Sequence, residues 1–150
     1  MSKSILIDTN ILVYSCDSGE QARQEMAILL LRQLVTADLG RLSAQVLAEF
    51  VNVTIKGRGP LFTREEALVQ ATRLAQTFPI FDLTYPIVLE AARACRDFSM
   101  AFYDAQIWAC AKLNQIPVVF SEDFQDGQSL ENVHFVNPFA ETFELEKWIQ

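Results

Sequence analysis

The sequence predicts a single α/β domain with a mostly parallel central sheet of about five strands, covered by helices on both faces. Short apolar runs alternate along the chain with longer segments of helical periodicity, the pattern of a sheet layered between helices. A length of 150 residues is typical of one domain, and 51% apolar residues provide enough side chains for its core. No linker, repeat or low-complexity stretch divides the chain, so residues 1–150 are predicted to form one domain.

Five short segments rich in β-branched and aromatic residues are predicted to form the strands. Short apolar runs bounded by turn residues are typical of strands that are buried on both faces of a parallel sheet. In chain order, the predicted strands are residues 4–7, a strand ending at 42–43, 80–83, 118–120 and 133–136.

Helices are predicted between these strands, and several carry recognisable end signals. Thr63 and Glu66 have the spacing of a capping box, and Gly40 is expected to close the second helix. The segment 56–60, which reads KGRGP, is the clearest loop. In chain order, the predicted helices begin near residue 10 and then cover 21–37, 45–54, 64–77, 84–97 and 103–113.

The composition indicates a cytoplasmic protein without disulfides. The three cysteines form no C-x-x-C pair, and no apolar run is long enough to span a bilayer. The first apolar run ends at Asp8 and is too short for the apolar region of a secretory signal. The net charge of −7 at first argues against a nucleic-acid partner, because phosphate repels a uniformly acidic surface. It leaves open an acidic interaction module, or a cluster of carboxylates that is neutralised by cations.

Asp8 and Asp123 follow predicted strands closely. Ligands of parallel α/β sheets bind at the carboxyl ends of the strands, so both acids are candidate site residues. An N-cap or Asx-turn at the strand-to-helix turn is the alternative role for either residue.

Glu49 and Asp104 occupy helical positions that are unusual for acids. Val46 and Val53 share the face of Glu49, and Asp104 has apolar neighbours three, four and seven positions ahead. Neither acid has a lysine or arginine at an obvious helical partner position. An N-cap role for Asp104, or a pairing with a distant arginine, remains an alternative.

The four acids together predict a divalent metal site. Two like charges about 4 Å apart repel by about 4 kcal/mol at an effective dielectric constant near 20, so a cluster needs protons or cations. Mg²⁺ or Mn²⁺ prefers such oxygen ligands, whereas zinc is disfavoured because His134 is the only histidine.

Five segments resemble, in order, the motifs of PIN-domain nucleases, and most closely those of VapC-type ribonuclease toxins from toxin–antitoxin pairs. They are residues 5–10 (ILIDTN), 43–49 (SAQVLAE), 103–107 (YDAQI), 121–127 (SEDFQDG) and 136–139 (VNPF). The fourth motif departs from the common Thr-x-Asn-x-x-Asp pattern, which leaves both Asp123 and Asp126 as potential ligands. Asp123 is favoured because it is nearer the strand end.

The resemblance implies a metal-dependent endoribonuclease with one or two Mg²⁺ or Mn²⁺ ions. Asp8, Glu49, Asp104 and Asp123 would hold metal, and Asn10 and Ser121 would orient them. The candidate residues for binding RNA phosphates are Lys56, Arg58 and Arg64.

The resemblance also implies an antitoxin partner and a homodimer. The apolar stretch 26–31, with Leu68, Val69 and Leu74, is expected to form one of these contacts, unless both stripes belong to the core. Two other functions remain possible at this stage. One is a degenerate PIN fold that only binds. The other is a haloacid-dehalogenase-type phosphatase, for which Lys112 is the only candidate catalytic lysine.

Overall fold

The protein forms one six-stranded sheet in the computed structural model, which describes residues 3–149. The sheet is parallel except at one edge, and the strands follow the order β3-β2-β1-β4-β6-β5. The strands are β1 (Ile5–Ile7), β2 (Gly40–Ser43), β3 (Ile80–Phe81), β4 (Val118–Phe120), β5 (Ser129–Leu130) and β6 (Val133–Val136). The predicted α/β class and mostly parallel sheet are confirmed.

The sixth strand, β5, was not predicted. It has only two residues and pairs antiparallel with β6 through a tight turn. Glu131 and Asn132 occupy that turn with φ angles of 45° and 71°, values that L-residues adopt uncommonly. No glycine marks this hairpin, so the sequence carries no strong turn signal.

Six α-helices connect the strands, close to the predicted positions. They are α1 (Thr9–Tyr14), α2 (Gln21–Thr36), α3 (Ala44–Ile55), α4 (Arg64–Thr77), α5 (Tyr85–Phe98) and α6 (Phe102–Leu113). The capping box is confirmed: Thr63 accepts a hydrogen bond from the Glu66 amide, and the Glu66 carboxylate accepts one from the Thr63 amide. None of the helices within residues 3–149 is long and apolar enough to cross a membrane.

The prediction that Gly40 closes α2 was wrong. The helix ends four residues earlier at Thr36, and Asp38 adopts the left-handed conformation with a φ of 54°. Gly40 instead begins β2, where a Cβ atom would lie only 2.6 Å from the Phe78 ring. Glycine is therefore required for close packing at the start of the strand rather than for a turn.

The topology brings the carboxyl ends of three neighbouring strands to one edge of the sheet. β1 is central and fully buried, and it pairs in parallel with β2 and β4. Helices α1 and α3 start within two residues of β1 and β2, so their first turns lie at the same edge. Residues that follow these strands are consequently close in space although they are distant in sequence.

Candidate functional site

Asp8 is a buried acid directly after β1, and its side chain is only 3% exposed. It is the N-cap of α1, accepting a 2.7 Å hydrogen bond from the Thr9 amide. Its second oxygen accepts a 2.7 Å hydrogen bond from the Ser121 hydroxyl. Burial, with smaller contributions from Asp123 and Glu49, raises the pKa of Asp8 to about 6 despite these bonds.

Ser121 links the ends of β1 and β4. Its hydroxyl oxygen accepts hydrogen bonds from the Asn10 amide nitrogen at 3.2 Å and the Asp123 backbone amide at 3.0 Å. The side-chain oxygen Oδ1 of Asn10 in turn accepts a 3.3 Å hydrogen bond from the backbone amide of Glu122. Asn10 and Ser121, the two predicted supporting residues, therefore lie beside the acids that they were expected to orient.

Glu49 projects from α3, and both of its oxygens accept hydrogen bonds. Thr9 Oγ1 donates to Oε2 at 2.9 Å, and Gln45 Nε2 donates to Oε1 at 2.8 Å. Gln45 also donates to the Tyr103 carbonyl at 3.0 Å and accepts from Gln106 at 2.9 Å. Thr9, Gln45 and Gln106 were missed by the sequence analysis, although a buried glutamine four residues before an acid was a usable signal.

Asp104 lies in the first turn of α6, where the helix dipole favours a negative charge. The N-cap alternative was wrong, because that position belongs to Ala101. Burial raises the pKa of Asp104, and the charges of Asp123 and Glu49 raise it further. In the part of the chain described, no arginine or lysine pairs with this acid.

Asp123 and Asp126, the two candidates in the fourth motif, have different surroundings. Asp123 is exposed and lines a cleft of about 320 Å³ together with Glu49 and Asn10. Asp126 Oδ1 accepts a 2.8 Å hydrogen bond from the Asn137 amide, which fastens its loop to the end of β6. The geometry thus favours Asp123 as the fourth member of the acidic group.

The acids fit Mg²⁺ or Mn²⁺ by their chemistry, although they do not form a closed set of ligands. Among residues 3–149, no three His, Cys, Asp or Glu side chains converge into a group that could hold a metal ion directly. Mg²⁺ commonly retains several waters and uses only one or two carboxylates, so an open arrangement of oxygen donors is compatible with it. Asp8 and Asp104 both have raised pKa values, which cation binding would lower.

A second network, not predicted from the sequence, fixes the backbone next to Asp123. Glu122 accepts a 2.6 Å hydrogen bond from the Tyr14 hydroxyl and a 2.7 Å bond from Arg23 Nε. The hydrogen bond to Glu122, together with burial, raises the pKa of Tyr14 to about 12, although the charge of Arg23 opposes this effect. The network holds the fourth motif against α1 and α2.

The three predicted RNA-contacting residues, Lys56, Arg58 and Arg64, are exposed around the loop after α3. Gly57 and Gly59 both adopt positive φ angles there, of 79° and 69°. None of the three cations forms an ion pair with an acid in the region covered by residues 3–149. Their positive charges are therefore available to an external anion.

Residues 5–125 match the sequence model of the PIN domain. The chain belongs to the PIN domain family. This match includes Asp8, Glu49, Asp104 and Asp123, and it ends one residue before Asp126. No curated protein shows significant sequence similarity to the chain.

Several solved structures share the PIN fold of this protein. A toxin–antitoxin complex from Klebsiella pneumoniae superposes with a TM-score of 0.62 and 22% identity, covering 91% of this chain and 98% of its own. VapBC2 from Rickettsia felis, bound to a promoter DNA fragment, superposes with a TM-score of 0.61 and 15% identity. The superposition covers 87% of this chain and 96% of that chain. Mycobacterium tuberculosis VapC20, a toxin that cleaves the sarcin–ricin loop, superposes with a TM-score of 0.61 and 20% identity. The superposition covers 77% of this chain and 87% of that chain.

Proposed function

We propose that this PIN domain is a Mg²⁺- or Mn²⁺-dependent endoribonuclease and the toxin of a type II toxin–antitoxin pair. The observation that carries the proposal is the hydrogen-bond network that joins the four acidic motifs. Ser121 donates to Asp8 and accepts from the Asp123 amide, Thr9 donates to Glu49, and Gln45 links Glu49 to the backbone directly before Asp104. Similarity to VapC20, a toxin that cleaves RNA in the sarcin–ricin loop, supports RNA as the substrate.

In the proposed mechanism, Asp8, Glu49, Asp104 and Asp123 hold one or two ions, partly through water. When bound, the metal supplies a nucleophilic water near neutral pH and positive charge at the scissile phosphate. Hydrogen bonds from three side chains and from the Thr9 backbone amide fix both oxygens of Glu49 and of Asp8 before substrate arrives. Such outer contacts set the orientation and basicity of metal ligands.

The exposed face of α3 offers a path for the RNA backbone away from the acids. Glu49, Asn52, Val53 and Lys56 follow one another at positions i, i+3, i+4 and i+7, which share one helix face. Lys56 therefore lies about two helical turns, or roughly 10 Å, from Glu49. Together with Arg58, it would bind phosphates that the net charge of −7 would otherwise repel.

Both alternative functions are less consistent with the structure. The phosphatase alternative needs a lysine near the first acid, but Lys112 Nζ is 2.6 Å from Glu90 and 3.4 Å from Glu131, in a separate ion-pair network. A degenerate PIN domain that only binds would not require four acids in one region. The cleavage assay described below distinguishes it from a nuclease.

An antitoxin and a second copy of the chain are the proposed protein partners. Complexes of toxins with antitoxins occur among the structurally similar proteins. The apolar surfaces of α2 and α4, which are expected to form contacts, are only partly buried in the core. Leu30 is fully buried, whereas Leu29 and Leu68 are 48% and 61% exposed. These exposed leucines are the proposed contact residues.

Cleavage of RNA by the purified protein tests the proposed function. We expect Mg²⁺ or Mn²⁺ to support cleavage, excess EDTA to stop it, and Asp104→Asn to abolish it. Asp82→Asn, which changes an exposed acid outside the cluster, is the matched control and should cleave normally. Cleavage that survives exhaustive chelation would contradict the metal mechanism, and complete inactivity with either metal would favour the binding module.

A further inference from the structure

A second cleft, of about 490 Å³, shares Glu49 with the acidic site. Its lining also includes Leu83, Tyr103 and Asn52. Glu49 thus forms a wall common to both clefts, and Tyr103 directly precedes Asp104. A molecule held at the acids can extend into this second cleft without leaving the protein surface.

The cleft combines exposed apolar surface with a fixed backbone. The Tyr103 side chain is 66% exposed and that of Leu83 is 47% exposed. The Tyr103 ring packs edge-on against Phe102 at a centroid distance of 5.4 Å, and its carbonyl accepts the hydrogen bond from Gln45. Because the same Gln45 amide also binds Glu49, one side chain positions both the Tyr103 backbone and the Glu49 carboxylate.

We infer that this cleft binds an unpaired nucleobase of the RNA, adjacent to the scissile phosphate, by stacking on Tyr103. A nucleobase has an apolar face and a polar edge, which match the Tyr103 and Leu83 surfaces and the exposed amide of Asn52. Proteins that read RNA commonly stack unpaired bases on such aromatic side chains. The inference rests on the proposed ribonuclease function and specifies its substrate as RNA that is single-stranded at the cut.

The position next to the acids favours a base as the occupant of this cleft. Each base is joined to its phosphate through a single sugar, so a base site must border the phosphate site, and the cleft borders the acids through Glu49. A base bound here also excludes a fully paired duplex, in which every base face is covered by its neighbours.

Binding of a short single-stranded RNA, measured with Asp104→Asn protein to prevent cleavage, tests the inference. Adding Tyr103→Ala is expected to weaken binding about 5- to 100-fold, the range found for loss of a base–aromatic stack. Tyr103→Phe, which retains the ring, should bind normally. Tyr85→Ala is the matched control, because Tyr85 is 79% exposed but does not line the cleft.

Replacing one nucleotide of the RNA by an abasic residue completes the experiment. At the nucleotide whose base stacks on Tyr103, the abasic residue should weaken binding by the same factor as Tyr103→Ala. With this abasic RNA, Tyr103→Ala should cause no further loss of affinity. Equal binding by the Tyr103→Ala and Tyr85→Ala proteins, while the unmodified protein cleaves RNA, would overturn the inference alone. If Tyr103→Ala left RNA binding unchanged but altered the sedimentation of the protein, the cleft would instead be a contact with another protein chain. Failure of every protein to bind or cleave RNA would overturn the proposed function as well.

Discussion

The hydroxyl of Ser121 donates a 2.7 Å hydrogen bond to Asp8, although 113 positions separate the two residues. This bond lowers the pKa of Asp8 and so opposes the larger effect of burial. The same hydroxyl oxygen accepts from the Asp123 amide, and one serine therefore positions two acids of the cluster.

Ser121→Ala is expected to shift the pH dependence of cleavage to higher pH, because Asp8 loses a bond that stabilises its charged form. The cleavage rate at neutral pH should fall about 10- to 100-fold, the usual cost of losing an outer contact of a metal ligand. A pH–rate profile measures both effects. Ser129→Ala, which removes an exposed hydroxyl bonded to His134, is the control. An unshifted profile would mean that Ser121 does not tune Asp8.

Asp8→Asn should stabilise the metal-free protein at pH 7. The folded pKa of about 6 lies above the ordinary value of 3.8, so the folded state binds more protons between these values. Stability therefore falls as pH rises from about 4 to 6, and the asparagine variant escapes a loss on the order of 1–3 kcal/mol.

Urea denaturation in EDTA at pH 4 and pH 7 measures this difference for Asp8→Asn. The variant should gain stability relative to the unmodified protein as the pH rises from 4 to 7, whereas Asp82→Asn should show no such relative gain. Strong destabilisation of the Asp8→Asn protein at pH 7 would mean that the fold needs the Asp8 charge, and Asp8 would then be a structural residue rather than a strained site acid.

Thr9→Val should reduce cleavage while leaving the fold intact. The substitution preserves the shape of the buried side chain but removes the 2.9 Å hydrogen bond to Glu49. We expect about a tenfold lower kcat, because Glu49 is then oriented by Gln45 alone. Thr36→Val, at an exposed position in α2, is the control. Equal kcat values for the two variants would remove Thr9 from the site.

Replacing Lys56 and Arg58 together by alanine should weaken RNA binding and reduce its dependence on salt. Each phosphate contact that is lost should lower the slope of log affinity against log salt concentration by about 0.7 for single-stranded RNA. Affinities at several salt concentrations measure the slope. Arg32→Ala changes an exposed arginine of α2 and serves as the control. A slope that is unchanged by the double substitution would place the RNA elsewhere.

The isolated chain should sediment as a homodimer at micromolar concentration. Leu68→Glu is expected to shift it towards the monomer if α4 forms the contact, because a charge at a buried apolar interface is costly. Leu113→Glu, which alters another exposed leucine, is the control. A monomer at every concentration would refute the dimer and leave only the antitoxin as a partner for these helices.

The sequence alone identified the four acids as candidate site residues, because each follows a clear local signal. Asp8 and Asp123 come after apolar strands, and Glu49 and Asp104 interrupt apolar helix faces. The hydrogen bond of Thr9 to Glu49 could not be predicted, because it joins two helices whose packing the sequence does not give. The bond of Gln45 to Glu49 lies within α3, and the spacing of four residues was a signal for it. The β5 hairpin was missed for a related reason, since its turn uses Glu131 and Asn132 rather than glycine.

The strand order has a consequence for when the candidate site can form during synthesis. β1 is made before its neighbour β4, which the ribosome delivers more than a hundred residues later. Until β4 is made, Asp8 lacks Ser121, and the four acids lack Asp123. A nascent chain that has emerged only as far as α5 carries half of the acids on an incomplete sheet. Local folding of the first strands is therefore not enough to assemble the candidate site.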